Sequence, residues 1–183
     1  FITRWEQCND LSISISSNKS SVFCLDDGMG VEYSLPFAPN TSYEWQSIRL
    51  GTITSLRRTD SSITVNWTKT GTDTIRVRQT SINTGCYKDT TFIVTITPIL
   101  TINLGEDLTT CLGDTVPIGK NASGGMAPYT YTWSPKAGII GSDSTAQITV
   151  SPTSTTTYTV SITDKNGCRS EDALRVTVNP KPT

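Results

Sequence analysis

The feature that most constrains this chain of 183 residues is that its sequence repeats itself. When residues 24–98 are laid over residues 111–180, similar short motifs recur in the same order. Self-similarity of this kind predicts a tandem duplication, in which each copy folds as a similar unit. The matched positions are Cys24 with Cys111, Trp45 with Trp133, Ile63–Val65 with Ile148–Val150, Thr74–Val77 with Thr157–Val160, Cys86 with Cys168 and Val94–Pro98 with Val176–Pro180.

The boundary between the copies falls near Pro98–Leu100, directly after the last strand-like run of the first copy. We therefore expect one domain over residues 9–98 and a second over 99–183, each of a size at which one β-sandwich folds. Residues 1–8 are then the end of a preceding segment or a linker. No basic stretch followed by an apolar one opens the sequence, so we expect an internal piece of a longer or processed protein.

Within each copy, apolar and polar residues alternate with a period of two, which favours β-strands over helices. Turn signals such as Asp26–Gly28 and Lys165–Gly167 separate the runs. This pattern predicts an all-β fold, made of two tandem immunoglobulin-like antiparallel β-sandwiches. The clearest alternating runs are Val31–Leu35, Ile63–Trp67, Thr90–Ile96 and Leu174–Val178.

Charge and residue content exclude several functional classes. Lys and Arg total 15 and Asp and Glu total 16, so the chain lacks the excess of positive charge that binding to a nucleic acid requires. Histidine is absent, which excludes histidine metal sites and catalysis by a nucleophile–histidine pair. No apolar run approaches the roughly 20 residues that cross a bilayer, so we expect no membrane insertion in this segment. We predict that the chain is not an enzyme.

A series of motifs in the second copy resembles one known repeat family. In this order they are similar to the PKD-like (immunoglobulin-like) repeats that occur in tandem in large cell-surface and gliding-motility adhesins of Bacteroidota, of the SprB type. The first copy, with Ser62–Trp67 and Gly85–Cys86, resembles a variant of the same repeat. The motifs are Asn103–Asp107, Cys111–Val116, Tyr131–Pro135, Thr153–Val160, Asp164–Cys168 and Val176–Pro180.

The resemblance covers about residues 9–183, and it implies an extracellular, cell-surface location reached by export. Its implied partners are neighbouring repeats of the same polypeptide. For the gliding type it also implies type IX secretion. Other cell-surface proteins or polysaccharide are further candidate partners.

Five cysteines without a CxxC pair argue against zinc and favour disulfides formed in an oxidising compartment. From the positions of these cysteines, and apart from the family resemblance, we expect a Cys111–Cys168 bridge that holds one end of the second sandwich together. A Cys24–Cys86 bridge would do the same in the first. Cys8 is then unpaired within the segment, with its partner upstream or in another chain, or it is a free thiol.

Acidic residues provide the candidate metal ligands. Solvated surface charge is one interpretation, and the alternative is calcium near the domain junction, held by Glu106, Asp107 and Asp114. The sequence contains no EF-hand spacing. We therefore predict no cofactor, with calcium as the alternative.

Aromatic residues raise the question of a sugar-binding platform. Trp45 and Trp133 occupy the position of the tryptophan that normally lies in the centre of an immunoglobulin-like core, and we assign both to core packing. Trp5, Trp67 and Tyr87 fall outside the repeated positions and are freer to be exposed.

The sequence therefore predicts a non-catalytic stalk segment of an exported surface adhesin, active in gliding motility or attachment, that spaces and transmits force. The alternative is a carbohydrate- or protein-binding accessory module of a secreted hydrolase.

Overall fold

The computed structural model describes residues 11, 14–46, 48–54 and 60–181. The chain divides into two units, Phe1–Thr97 and Pro98–Thr183. The sequence-based boundary lies one residue later, between Pro98 and Ile99. The predictions for Cys8, Trp5 and a preceding segment over residues 1–8 lie outside the described residues.

Strands account for nearly all the regular structure, and the described residues contain one short 3-10 helix, Leu25–Asp27. The strands of unit 1 are β1 (Ser16–Ser17), β2 (Val22–Cys24), β3 (Val31–Ser34), β4 (Thr41–Trp45), β5 (Gly51–Ile53), β6 (Ser62–Trp67), β7 (Gly71–Ser81) and β8 (Tyr87–Thr97). Those of unit 2 are β9 (Leu108–Cys111), β10 (Val116–Gly119), β11 (Thr130–Ser134), β12 (Ile139–Ile140), β13 (Gln147–Val150), β14 (Thr156–Thr163) and β15 (Arg169–Asn179).

Each unit contains two sheets, as a sandwich requires. In unit 1 the strand orders are β1-β3-β6-β5 and β2-β8-β7-β4, and in unit 2 they are β10-β13-β12 and β11-β14-β15-β9. The strands alternate between buried and less buried residues, most regularly in β6. The prediction of all-β, immunoglobulin-like sandwiches is therefore confirmed.

The sheets differ from the antiparallel prediction in one respect. In unit 1, β2 pairs with β8 in parallel, and in unit 2, β9 pairs with β15 in parallel. In each unit the parallel partners are an early strand and the last strand. Alternation of apolar residues reports which face of a strand is buried but not its direction, so the sequence pattern did not distinguish this pairing.

Large aromatic side chains fill the cores. Trp45, Trp67 and Trp133 are each 1% exposed, and Tyr33 and Tyr158 are fully buried. Burial of side chains of this size contributes about 1.5–3 kcal/mol each. Trp67, which we expected to be freer for exposure, is thus a core residue because it lies on the inward face of β6.

Candidate functional site

In unit 1, the parallel pair of β2 and β8 joins the first and last strands of one sheet. The register places Val22 opposite Thr95 and Cys24 opposite Thr97. Thr95 N donates to Ser21 O at 2.8 Å, and the Thr97 hydroxyl donates to Phe23 O at 3.2 Å. This pairing therefore ties an early strand of unit 1 to the strand by which the chain leaves it.

Unit 2 repeats this arrangement over one more residue pair. Leu108 lies opposite Val176, and Cys111 lies opposite Asn179. Beyond the end of β9, Leu112 N donates to Asn179 O at 2.9 Å. We call these two parallel pairs, β2 with β8 and β9 with β15, the terminal-strand clamps.

The clamp of unit 2 overturns the predicted Cys111–Cys168 bridge. Cys111 is a free thiol, whereas Cys168 is disulfide-bonded. Cys111 lies opposite Asn179, the last residue of β15, while Cys168 directly precedes Arg169, the first. At about 3.3 Å per residue the two ends of this strand are roughly 30 Å apart, and a disulfide requires Cα atoms within about 7 Å.

The same geometry is incompatible with the predicted Cys24–Cys86 bridge. Cys24 lies opposite Thr97 at the end of β8, and Cys86 directly precedes Tyr87 at its start. Both cysteines are disulfide-bonded, but the length of β8 separates them from each other. The prediction assumed that the matched cysteines of each copy share one end of the sandwich, and the parallel pairing puts them at opposite ends.

The candidate calcium ligands do not come together in one site. Glu106 and Asp107 precede β9, whereas Asp114 follows it. Asp107 Oδ1 accepts a hydrogen bond from Arg175 N at 3.0 Å, and Asp114 forms an ion pair of 3.3 Å with Lys181. Asp107 and Asp114 thus each have a protein partner of their own.

A different group of possible ligand atoms occurs in unit 1. Oxygen or sulfur atoms of Cys24, Asp26 and Asp27 lie within 4.8 Å of one another. Cys24 is disulfide-bonded, so its sulfur is not available as a thiolate ligand. Asp27 forms an ion pair of 3.2 Å with Lys19. The remaining ligand set is poor for a cation.

Two buried carboxylates organise loops instead. Asp73 Oδ2 accepts hydrogen bonds from the backbone N–H groups of Arg49 at 2.7 Å and Leu50 at 2.9 Å, and Oδ1 accepts one from Thr74 at 2.8 Å. Burial raises the pKa of Asp73, but these donors and the Arg49 guanidinium lower it more, so the net pKa lies below the ordinary value of 3.8. The ionised carboxylate therefore holds the chain before β5 against β7.

Asp164 has the equivalent role in unit 2, where it is 5% exposed. Its Oδ2 accepts a hydrogen bond from Met126 N at 2.7 Å, and its Oδ1 accepts from Asn166 N at 2.8 Å and Cys168 N at 2.9 Å. The side chain thereby joins the loop before β11 to the turn between β14 and β15. We could not predict either carboxylate's role, because backbone donors leave no mark on a sequence.

The two tryptophans assigned to the core make matching hydrogen bonds. Trp45 Nε1 donates to Asp60 O at 2.9 Å, and Trp133 Nε1 donates to Thr145 O at 2.9 Å. A buried indole N–H requires such a partner. The duplication therefore extends to individual polar contacts.

Few large aromatic rings are exposed among the described residues. Phe37 is 80% exposed and Tyr87 is 57% exposed. The Arg78 guanidinium lies 4.2 Å from the centroid of the Tyr87 ring and forms a bidentate pair with Asp89. Tyr87, which we expected to be freer for exposure, thus lies at the surface.

No helix among the described residues is long and apolar enough to cross a membrane.

The fold and the family comparison agree on the class of domain. Residues 108–178, less than half of the chain, match the PKD-like domain family. Comparison with curated protein sequences gives no match. The second unit is therefore similar to PKD-like domains. PKD-like and immunoglobulin-like domains with disulfide-bonded cysteines are typical of extracellular adhesion or accessory modules.

Solved structures support the same fold over both units. The C-terminal 282-residue fragment of intimin, in complex with the intimin-binding domain of the translocated intimin receptor, has a TM-score of 0.65 at 19% identity, covering 91% of this chain and 64% of that chain. Extracellular domains 3–5 of Drosophila OTK have a TM-score of 0.56 at 11% identity, with coverage of 91% and 62%.

The N-terminal eight immunoglobulin domains of Down syndrome cell adhesion molecule have a TM-score of 0.54 at 13% identity, with coverage of 91% of this chain and 24% of that chain. This chain spans less than two thirds of each of these three structures. At these identities the likeness establishes the immunoglobulin-like fold.

Proposed function

We propose that this chain is a non-catalytic stalk segment of an exported cell-surface adhesin, which spaces a binding region from the cell and transmits force. The observation that carries the proposal is the terminal-strand clamp found in both units. In each, an early strand and the last strand of one sheet run in parallel and are joined by backbone hydrogen bonds.

The direction of the paired strands determines how they respond to tension. When a unit is pulled by its two ends, parallel terminal strands are drawn past each other along their length. Their hydrogen bonds are then loaded together in shear, whereas an antiparallel hairpin pulled open at its end breaks its bonds one at a time. A unit built in this way resists extension until the whole clamp fails.

The comparisons support the adhesion part of the proposal at the level of class. The intimin fragment was solved in complex with the intimin-binding domain of its receptor, and the eight-domain neighbour is part of a cell adhesion molecule. We extend the proposal to the gliding-motility adhesins of Bacteroidota, with neighbouring repeats as partners and type IX secretion as the export route. That extension rests on the motif order of the second copy.

A carbohydrate- or protein-binding accessory module of a secreted hydrolase is the second candidate. The exposed rings of Phe37 and Tyr87 favour it, because aromatic rings are common binding anchors. Against it, Trp67, which we expected to be freer for exposure, lies in the core and presents no ring to a ligand. Binding of neutral oligosaccharides that is lost in Tyr87→Ala would favour this candidate over the stalk.

Single-molecule stretching of the whole chain by its termini, under reducing conditions, tests the proposal. We expect each unit to extend in one abrupt step, because the clamp fails as a whole. Gradual extension at low force, with no abrupt step, would contradict a force-bearing role.

A further inference from the structure

Among the described residues, one side of β8 has no neighbouring strand over most of its length. On the other side, β7 pairs with β8 from Tyr87 to Ile96. On the open side, β2 reaches only Thr95–Thr97. A stretch of about seven residues therefore forms an exposed strand edge, which is a template for pairing with another strand.

Hydrogen bonds at its two ends define which backbone groups face this open side. Cys86 O accepts from Ser81 N of β7, and Thr95 N donates away from β7 to Ser21 O. Hydrogen-bonding direction alternates along a strand. It follows that the open edge presents the N–H and C=O groups of Tyr87, Asp89, Thr91 and Ile93.

The matching edge of unit 2 is blocked. There Arg175 N donates to Asp107 Oδ1 at 3.0 Å, and Ala173 N donates to Asp172 Oδ1 at 2.9 Å. In the repeat alignment Arg175 corresponds to Ile93 and Ala173 to Thr91. Within the described part of unit 1, no side chain takes the place of these carboxylates. Among the described residues, the edge is therefore open in unit 1 and blocked in unit 2.

The side chains beside the open edge are unusually apolar at its two ends. Tyr87 is 57% exposed and Ile93 is 62% exposed, and both lie on the outer face of the sheet. Between them, the charge of Asp89 is balanced by Arg78 at 2.7 Å. An exposed edge with large apolar residues and no unbalanced charge favours association.

We propose that β8 is an interaction surface for a second copy of this chain, and that the two β8 strands pair antiparallel about a two-fold axis at Thr90. In this register Tyr87 lies opposite Ile93 of the second copy, and Asp89 lies opposite Thr91 of the second copy. Every residue in these pairs has its N–H and C=O on the open side, so each pair is a hydrogen-bonded pair.

The second copy fits this edge because the register is self-complementary. It places the exposed ring of Tyr87 against the exposed side chain of Ile93 at both ends of the pairing. Lys88 faces Phe92 and no like charges are opposed, which the antiparallel pairing requires. In a two-fold contact both partners use the same residues, so the open backbone groups of both β8 edges are paired at once. The area is that of one strand edge, so the dimer is weak and depends on concentration.

Sedimentation of the whole chain from micromolar to millimolar concentration tests the proposal. We expect a monomer–dimer equilibrium, with amide exchange at Asp89, Thr91 and Ile93 slowing as the dimer forms. Thr91→Pro removes an N–H that faces away from β7, so the sheet of unit 1 keeps its ladder. Since the substitution acts once in each partner, we expect it to weaken dimerisation by roughly a hundredfold. Thr91→Ala, which keeps the N–H, is the matched control and should still dimerise.

Ile93→Lys provides a second variant whose folding is not in question, because this side chain is exposed. It places a charge opposite the Tyr87 ring and should also give a monomer. A wild-type chain that stays monomeric at every concentration would overturn the proposal. A dimer that survives both Thr91→Pro and Ile93→Lys would overturn it as well.

Discussion

The indole N–H of Trp67 donates a hydrogen bond of 3.2 Å to the hydroxyl of Tyr33 in the core of unit 1. Tyr33 is fully buried, and its ring meets that of Trp67 edge to face, with centroids 6.4 Å apart. Each group supplies the polar partner that the other lost on leaving water. The contact links β3 to β6 and fixes the packing of the largest side chains in this core.

Unit 1 should lose stability at alkaline pH because of this tyrosine. Burial raises the pKa of Tyr33 to about 12 from the ordinary value of 10.0, although hydrogen bonds with Trp67 and Ser17 oppose the rise. The unfolded chain therefore releases this proton before the folded protein does. The stabilisation is complete below about pH 10 and is lost as the pH rises towards about 12, by roughly 2 kcal/mol after allowance for solvent screening.

Tyr33→Phe isolates that contribution in denaturant unfolding measured across this pH range. The variant should be destabilised by about 1 kcal/mol at neutral pH, since the Trp67 N–H loses its acceptor. Its further loss at alkaline pH should be smaller than that of the wild type. Tyr87→Phe, on an exposed ring, should follow the wild type. An unchanged alkaline loss in Tyr33→Phe would count against this assignment.

Asp73→Asn should destabilise unit 1 by about 2–3 kcal/mol at neutral pH, because three backbone donors lose an anionic acceptor. The lowered pKa of Asp73 means that its stabilisation is present above about pH 3.8 and is lost as the pH falls through the lower value in the folded state. The difference between wild type and variant should therefore narrow in acid. Asp143→Asn, at an exposed ion pair with Lys136, is the control and should change little.

Alanine substitutions at two glycines with positive φ should distinguish the cost of backbone strain from the cost of steric overlap. Gly119 (φ +106°) has the carbonyl oxygen of Ala146 where a Cβ would lie, whereas Gly113 (φ +83°) has open space there. Thermal melting should show that Gly113→Ala costs about 1–2 kcal/mol from the backbone alone. Gly119→Ala should cost about 1–3 kcal/mol more. Equal losses of stability in the two variants would contradict the close approach of β10 to the chain at the start of β13.

Cys111 should react with a thiol reagent in the folded, unreduced chain, because it is a free and only partly buried thiol. Peptide mapping after alkylation without reduction should find it modified. Cys111→Ser should leave the reduction-sensitive part of the melting transition unchanged, whereas Cys168→Ser should alter it. Recovery of a peptide in which Cys111 is linked to Cys168 would instead support the pairing that the sequence suggested.

Much of the fold could be predicted from the chain alone. Alternation such as that of Ile63, Val65 and Trp67 reports strands with one buried face, and the internal repeat locates the division into units. Strand direction could not be predicted in the same way. The error about the cysteines follows from this limit, because Cys24 and Cys111 were placed at the wrong ends of their sheets.

The polar contacts were also beyond prediction, for a different reason. Asp73 and Asp164 bind backbone N–H groups, which every residue carries, so no side-chain pattern marks their partners. The open edge of β8 became visible only through the contrast with Asp107 and Asp172 in unit 2. This comparison requires the strand register of both units, which the sequence pattern does not reveal.

Stretching proline variants of the unit 2 clamp tests the central claim most directly. Leu112 N donates to Asn179 O, so by alternation the Thr110 N–H faces β15 while the Thr109 N–H faces away. Thr110→Pro removes a clamp hydrogen bond, and Thr109→Pro is its matched control one residue away. When the whole chain is pulled by its termini, we predict that the unfolding force of unit 2 falls clearly in Thr110→Pro and much less in Thr109→Pro. Equal forces in the wild type and both variants would contradict a load-bearing clamp.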